Sequence, residues 1–251
     1  MGIKRASKVN WDKKRTFKKP RRTSRVEQGR VPILTGAVNR QASAMSKPLY
    51  MTGYPPTKVV RMRYVTNFTL NPGVAGIIAT HKFRANSIFD PDQTSAGHQP
   101  MGHDQWSAFY DHYVVLGSKM TLQAAIDSTS NSSAHLFGIY LDDDTTDDYG
   151  TTYIPMLESG KAVWDINPTG QQLTSTIVSK FSAKKYFNLN KGDIAARDDI
   201  GANMGSNPNE SPVFVVFAQP MNLATDTPVL NCVATIDYIV ELREPKALLQ
   251  S

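Results

Sequence analysis

Past residue 55, apolar and polar side chains alternate with a period of two along most of the chain. This is the pattern of strands with one buried and one wetter face. Over 57–70, Val60, Met62, Tyr64, Thr66, Phe68 and Leu70 share one face, with Arg61, Arg63, Asn67 and Thr69 on the other. Over 113–126, Val114, Leu116, Met120, Leu122, Ala124 and Ile126 lie opposite Lys119, Thr121 and Gln123. The clearest run is 230–243: Leu230, Cys232, Ala234, Ile236, Tyr238, Val240 and Leu242 face inward, while Asn231, Thr235, Asp237, Glu241 and Arg243 face outward. Further strands are predicted at 74–84, 134–142, 161–166, 174–187 and 211–219. The last of these contains the continuous apolar run 213–218, suited to a central strand.

The connections are rich in Gly, Pro, Asn and Asp, as at Asn71-Pro-Gly73 and in 127–133, 142–150 and 190–212. One short helix is predicted at 104–111, with Asp104 as its cap. Eight strands, long loops and almost no helix describe an all-β chain, with a single eight-stranded antiparallel jelly roll over 57–245. Residues 31–56, with Pro32, Pro48, Pro55 and Pro56, read as a linker along the surface of that body, and 246–251 as a short tail.

Charge changes the picture, because it is segregated. Residues 1–30 carry 12 Lys/Arg against two acids, Asp12 and Glu27, a net of +10. The whole chain is +6, so the remainder sums to −4, with 16 basic and 20 acidic residues. The arm is poor in apolar side chains and cannot offset the entropy of ordering, so it is expected to be disordered until it meets a partner. Its cations, Lys4, Arg5, Lys8, Lys13, Lys14, Arg15, Lys18, Lys19, Arg21, Arg22, Arg25 and Arg30, are candidate phosphate contacts, with Trp11 and Phe17 available to stack on unpaired bases. Such binding is electrostatic and independent of base sequence. Within it, Lys13, Lys14, Arg15, Lys18, Lys19, Arg21 and Arg22 also match a nuclear localisation signal. Arg61 and Arg63, with Lys58 before them, extend the basic surface onto the polar face of the first strand.

Other chemistry is thin. A lone Cys232 makes no intrachain disulfide, and no run of about 18 apolar residues is present to cross a membrane. The N-terminal stretch has no apolar core of a signal peptide, so the three glycosylation sequons, at Asn67, Asn131 and Asn209, read as chance matches. His81, His98, His103, His112 and His135 show no zinc spacing, Ser159-Gly160-Lys161 lacks the first Gly of a phosphate loop, and no Gly-x-Ser-x-Gly elbow exists. Asp90 and Asp92 could form a carboxylate pair, but read as turn and interface residues. The acidic loop 142–148 lacks the Gly and terminal Glu of a calcium-hand loop and reads as solvated. The expectation is therefore no enzyme, no metal and no cofactor.

The stretch NSIFDPDQTSAGHQPMGHDQWSAFYDHYVVLGSKMTL (86–122) resembles the capsid proteins of small circular single-stranded DNA viruses that encode a replication initiator, the circovirus-like group. FSAKKYF (181–187), GANMGSNP (201–208) and IDYIVELREP (236–245) are similar to the same group. The likeness covers roughly residues 57–245; the arm matches in composition only, and is shorter and less Arg-dominated. The resemblance implies a jelly-roll shell protein, about sixty copies of which close around a single-stranded DNA genome. It implies a virion location with passage through the host nucleus, and as partners the genome, further copies of the chain, a nuclear import receptor and a cell-surface receptor. On that reading the long 85–112 connection, rich in Pro and aromatics, packs across a subunit contact with Phe89, Trp106 and Phe109 as anchors. Two other readings share these features: the coat protein of a small positive-strand RNA virus, since an arm that sees phosphates does not tell DNA from RNA, and a jelly-roll lectin or hydrolase with an unrelated basic leader.

Overall fold

The structure is a computed structural model that describes residues 54–72, 77–94, 97–126, 134–146, 150–167, 174–222 and 229–247. The arm at 1–30, the linker up to residue 53, residues 147 and 148 of the acidic loop, Asn131 and the tail from 248 lie outside the described residues.

The described strands are β1 (Thr57–Leu70), β2 (Ala79–Arg84), β3 (Tyr110–Ile126), β4 (His135–Asp142), β5 (Ala162–Asn167), β6 (Ser175–Ser182), β7 (Gly201–Asn203), β8 (Val213–Pro220) and β9 (Leu230–Pro245). Eight of them form two antiparallel sheets, ordered β1-β9-β3-β6 and β2-β8-β4-β5. The chain changes sheet at each step between these eight, except along the hairpin β4–β5. That is a jelly roll. The ninth strand, β7, is three residues long, lies in the expected loop 190–212 and pairs with His112–Val114 of β3.

Side-chain parity explains the layers. In β9 the seven residues from Leu230 to Leu242 read as inward-facing are all buried, and their partners in β1 and β3 carry the matching parity. Together with Phe83, Phe137, Ile139, Phe214, Val216 and Ala218 of the second sheet they form the main core. Cys232 belongs to it, and burial pushes its thiol up to about 12. Every residue of β8 is buried, because its other face carries a second core of Val213, Val215 and Phe217 with Leu136 and Met156. Met156 belongs to α2 (Ile154–Glu158), a short helix with Pro155 in its first turn that lies over the outer face of the second sheet.

Several expectations are corrected. Val114 and Leu116 do not share the face of Met120. A β-bulge between Val115 and Gly117 inserts one extra residue and switches the phase, so that Tyr113 and Val115 enter the main core. Val114 instead joins Ile194 and Ile200 in a small cluster on the outer side of the first sheet. The predicted strand 174–187 ends at Ser182, where Ala183–Tyr186 turns into the helix α3, and β2 starts at Ala79 rather than at 74. The predicted helix 104–111 is α1 (His103–Ser107), and Tyr110 already belongs to β3. Its cap is Gly102 at φ 87°, a backbone conformation open to glycine, and Asp104 sits exposed in the first turn. A fourth helix, α4 (Lys191–Ala196), is closed by a reciprocal Asn190–Asp193 capping box.

The β2–β3 connection is fastened to the segment ahead of β8. Asn86 Nδ2 donates to the Glu210 carbonyl at 2.6 Å, Ser87 Oγ to Asn207 Oδ1 at 2.7 Å, and Tyr113 Oη to the Ser206 carbonyl at 2.9 Å. His103 Nε2 lies 3.0 Å from the Met204 carbonyl. Two stretches separate in sequence, 86–113 and 204–210, thus form one hydrogen-bonded corner, in which burial pushes the Tyr113 phenol up to about 12.

Candidate nucleic-acid interface

Parity places Arg61 and Arg63 on the outer face of the first sheet, and both are exposed. Lys58 does not join them: it has the parity of Val60 and pairs in register with Leu242, beyond the edge of the core. The registers of three strand pairs then fix what lies beside the arginines. Arg63 stands opposite Asp237, Asp237 opposite Lys119, and Lys119 opposite Lys180. One row further along the strands run Arg61, Ile239, Gly117 and Ser182.

These rows line a groove of about 1060 Å³, completed by Leu116, Lys185 and Tyr186. Five of its side chains are cationic: Arg61, Arg63, Lys119, Lys180 and Lys185. One is acidic: Asp237. The Arg63 Nε donates to Asp237 Oδ1 at 2.6 Å, and Lys119 Nζ approaches Oδ2 at 3.3 Å. The hydrogen bond from Arg63, supported by Lys119, holds the Asp237 carboxyl below the usual carboxylate range and raises Arg63 in turn. Among the described residues no acid forms an ion pair with Arg61, Lys180 or Lys185. The bulge supplies the floor. It brings Leu116 and Gly117 to the groove in succession, and a Cβ at Gly117 would sit 3.0 Å from the Phe181 carbonyl oxygen.

Sequence reading singled out Arg61 and Arg63, which the structure places in this groove, but not Lys119, Lys180 and Lys185 beside them. Lys119 was legible as an outward residue, but its adjacency to Arg63 and Lys180 comes from pairing between strands far apart in the chain. The other twelve expected phosphate contacts, which include the candidate nuclear localisation residues, belong to the arm and lie outside the described residues.

Phe89, Trp106 and Phe109 are all half-buried. Trp106 lies 6.2 Å from Tyr110 between ring centroids, and Phe109 lies 4.9 Å from Tyr54, whose segment is held by a 3.1 Å hydrogen bond from Tyr110 Oη to the Pro55 carbonyl. In the acidic loop, Asp142 is a buried strand end, and Asp144 accepts from the Thr146 backbone at 2.6 Å. The Lys82 ammonium donates to the carbonyls of Thr145 and Thr146 at 2.6 and 3.1 Å, so the chain's own cation occupies this turn. His81 Nε2 lies 3.1 Å from both carboxylate oxygens of Asp92, and Arg84 pairs with Asp90 at 2.8 Å. Both Asp90 and Asp92 thus brace the turn after β2.

No family model matches the chain, and no curated protein does. Among solved structures it is similar to Desmodium yellow mottle tymovirus, at 15% identity and a TM-score of 0.39 over 79% of this chain and 93% of that one. It is also similar to the BFDV capsid protein in its decameric crystal structure, at 14% identity and a TM-score of 0.40 over 74% and 99%. A third is Mud crab tombus-like virus, at 13% identity and a TM-score of 0.44 over 83% and 100%.

Proposed function

We propose that this chain is a viral coat protein: a jelly-roll body over 57–245 that tiles a small icosahedral shell, and a basic arm that packages a circular single-stranded DNA genome. The observation that carries this reading is the segregation of charge, +10 in the first 30 residues against −4 in the remainder. A polyanion is held by one part of the chain, and the shell is built by a part that carries no such excess. The sequence likeness at 86–122 favours the DNA-virus version. About sixty copies would bring roughly 600 arm charges to a genome of one to two thousand nucleotides, a large fraction of its phosphates. The segment 13–22 doubles as the nuclear address. The half-buried Phe89, Trp106 and Phe109 are the anchors of a subunit contact, and Trp106→Ala is expected to stay soluble while assembling poorly.

Deleting residues 2–30 tests the reading. Among the described residues the strands begin at Thr57 and the buried core at Met62, so the truncated chain keeps every described core residue. It should fold and yield particles of roughly 20 nm by negative stain, the size a shell of about sixty small subunits requires. Those particles should lack nucleic acid by absorbance ratio. Truncated particles with a normal nucleic-acid content would overturn the role of the arm. Nucleic acid extracted from full-length particles should be digested by DNase and resist RNase; the reverse would favour the RNA-virus reading.

A further inference from the structure

We infer that the groove on the outer face of the first sheet is a second, folded binding site for a single-stranded nucleic-acid backbone, separate from the arm, so that this face of the subunit looks toward the genome. This rests on the coat-protein reading but uses residues that reading does not need. The first argument is charge. Arg61, Arg63, Lys119, Lys180 and Lys185 face one groove with Asp237 as its single acid. Lys119 and Lys180 stand directly opposite each other on β3 and β6, a like-charge pair that disfavours the sheet unless an anion joins it. Asp237 relieves Lys119 only by sharing its carboxylate with Arg63.

The second argument is shape. The low floor at Gly117 leaves room for a chain to cross the sheet at right angles to the strands, from Lys119 and Lys180 to Arg61 and Arg63. With adjacent strands about 4.8 Å apart, Lys180 and Arg63 are separated by three spacings, about 14 Å. Asp237 between them holds Arg63 and Lys119 in place, which makes it a positioning residue. Beyond Tyr186, Lys180 and Lys185 also border an adjoining hollow that adds Lys161, with Asp143 as its one acid, so the basic lining continues on that side.

The third argument selects the polymer. The groove is not lined by charge alone: Leu116, the 40%-exposed Ile239 and Tyr186 offer apolar and aromatic surface. Unpaired bases stack on such surface while the cations hold the phosphates, whereas a sulfated polysaccharide has no bases to stack.

The test titrates the full chain with a mixed-sequence single-stranded DNA oligonucleotide across a salt series, beside the full-chain variant Lys119→Gln/Lys180→Gln/Lys185→Gln. Each phosphate contact contributes about 0.7 to the logarithmic salt slope, so losing three should make it shallower by about 2. In the wild type the oligonucleotide should protect Lys119, Lys180 and Lys185 from acetylation and leave Lys246, paired with Asp111, as reactive as before. Protection is read on the wild type, so it decides the matter even if the variant folds poorly. An unchanged slope with the three lysines unprotected overturns the groove. It leaves the arm reading standing, provided a chain with its 13–22 cations changed to Gln loses binding. Failure of the unaltered chain to bind the oligonucleotide overturns the coat-protein reading itself. Loss of heparin binding by the triple variant with an unchanged oligonucleotide slope assigns the groove to a sulfated polysaccharide and also overturns the inference.

Discussion

The two sheets of the sandwich are built alike toward the main core and oppositely toward the outside. β8, central in the second sheet, is buried at all eight positions, because α2 lays Met156 over Val213, Val215 and Phe217. β9, central in the first sheet, alternates, and its outer positions Asn231, Val233 and Ile239 are exposed. The outer face of the second sheet is thus covered over β8, while Trp164 and Ile166 of β5 stay exposed at its edge, and the middle of the first is left open and basic. An apolar run marks a strand that has neighbours on both sides, and strict alternation marks one that has kept a face free for something else.

The largest effect that would break this comparison is at Ile236, which is fully buried. Ile236→Asp places an unpaired carboxylate in the main core, costs several kcal/mol and should abolish the cooperative unfolding transition in a thermal melt. Asp237→Asn, one position along, should melt as a folded protein; equal damage at both would refute the parity of β9.

Phe217→Ala comes next. It empties the second core beneath α2 and should cost about 3–5 kcal/mol in denaturant titration, whereas Ile239→Ala on the open face should cost less than about 1. Similar losses at the two positions would mean that the outer faces are not different in kind. Gly138→Ala probes the same covered face more gently. Its new Cβ would collide with the Phe217 ring and lie 2.9 Å from the Val163 carbonyl oxygen, so about 1–3 kcal/mol of overpacking is expected.

The smallest effect is electrostatic. Asp237 titrates below the usual carboxylate range because Arg63 hydrogen-bonds to it, with Lys119 in support. A lowered folded-state value means stabilisation that is present above the unfolded value of about 3.9 and lost as pH falls through the folded one. The melting temperatures of wild type and Asp237→Asn should differ slightly at neutral pH, converge in acid, and converge again in high salt. A gap that widens toward low pH would contradict the pairing.

Much of this was legible from alternation alone. β1 spans 57–70 as read, and the inward set of β9 is correct at every position from Leu230 to Leu242. The misses share a physical cause. Period-two reading assumes an unbroken pleat, so the bulge at Leu116 reversed Val114 relative to Met120. The apolar run of β8 was read as central, but the helix that covers its second face was not foreseen. α2 is five residues long; Pro155 in its first turn is a weak local signal, and Met156 packing into the second core adds to it. In the candidate site, Arg61 and Arg63 stood out because they are neighbours in sequence. Lys119 and Lys180 did not, because register assembles them, and Lys185 did not, because it is placed by the helix α3 that ends β6.

The position of β9 has a consequence for the order of events in synthesis. It is inserted between β1 and β3, so β1 lacks its described strand partner, and β3 is joined only to β6 and β7, until Leu230–Pro245 has been made. About 160 residues separate the end of β1 from the start of β9, which at 5–20 residues per second is roughly 10–30 s of translation. The cationic residues 1–30 are synthesised before any of these strands. The ion pair between Arg63 and Asp237, and with it the groove, waits for the final strand to dock. On the coat-protein reading proposed above, such a nascent chain would have made its nucleic-acid-binding segment well before the body that closes a shell.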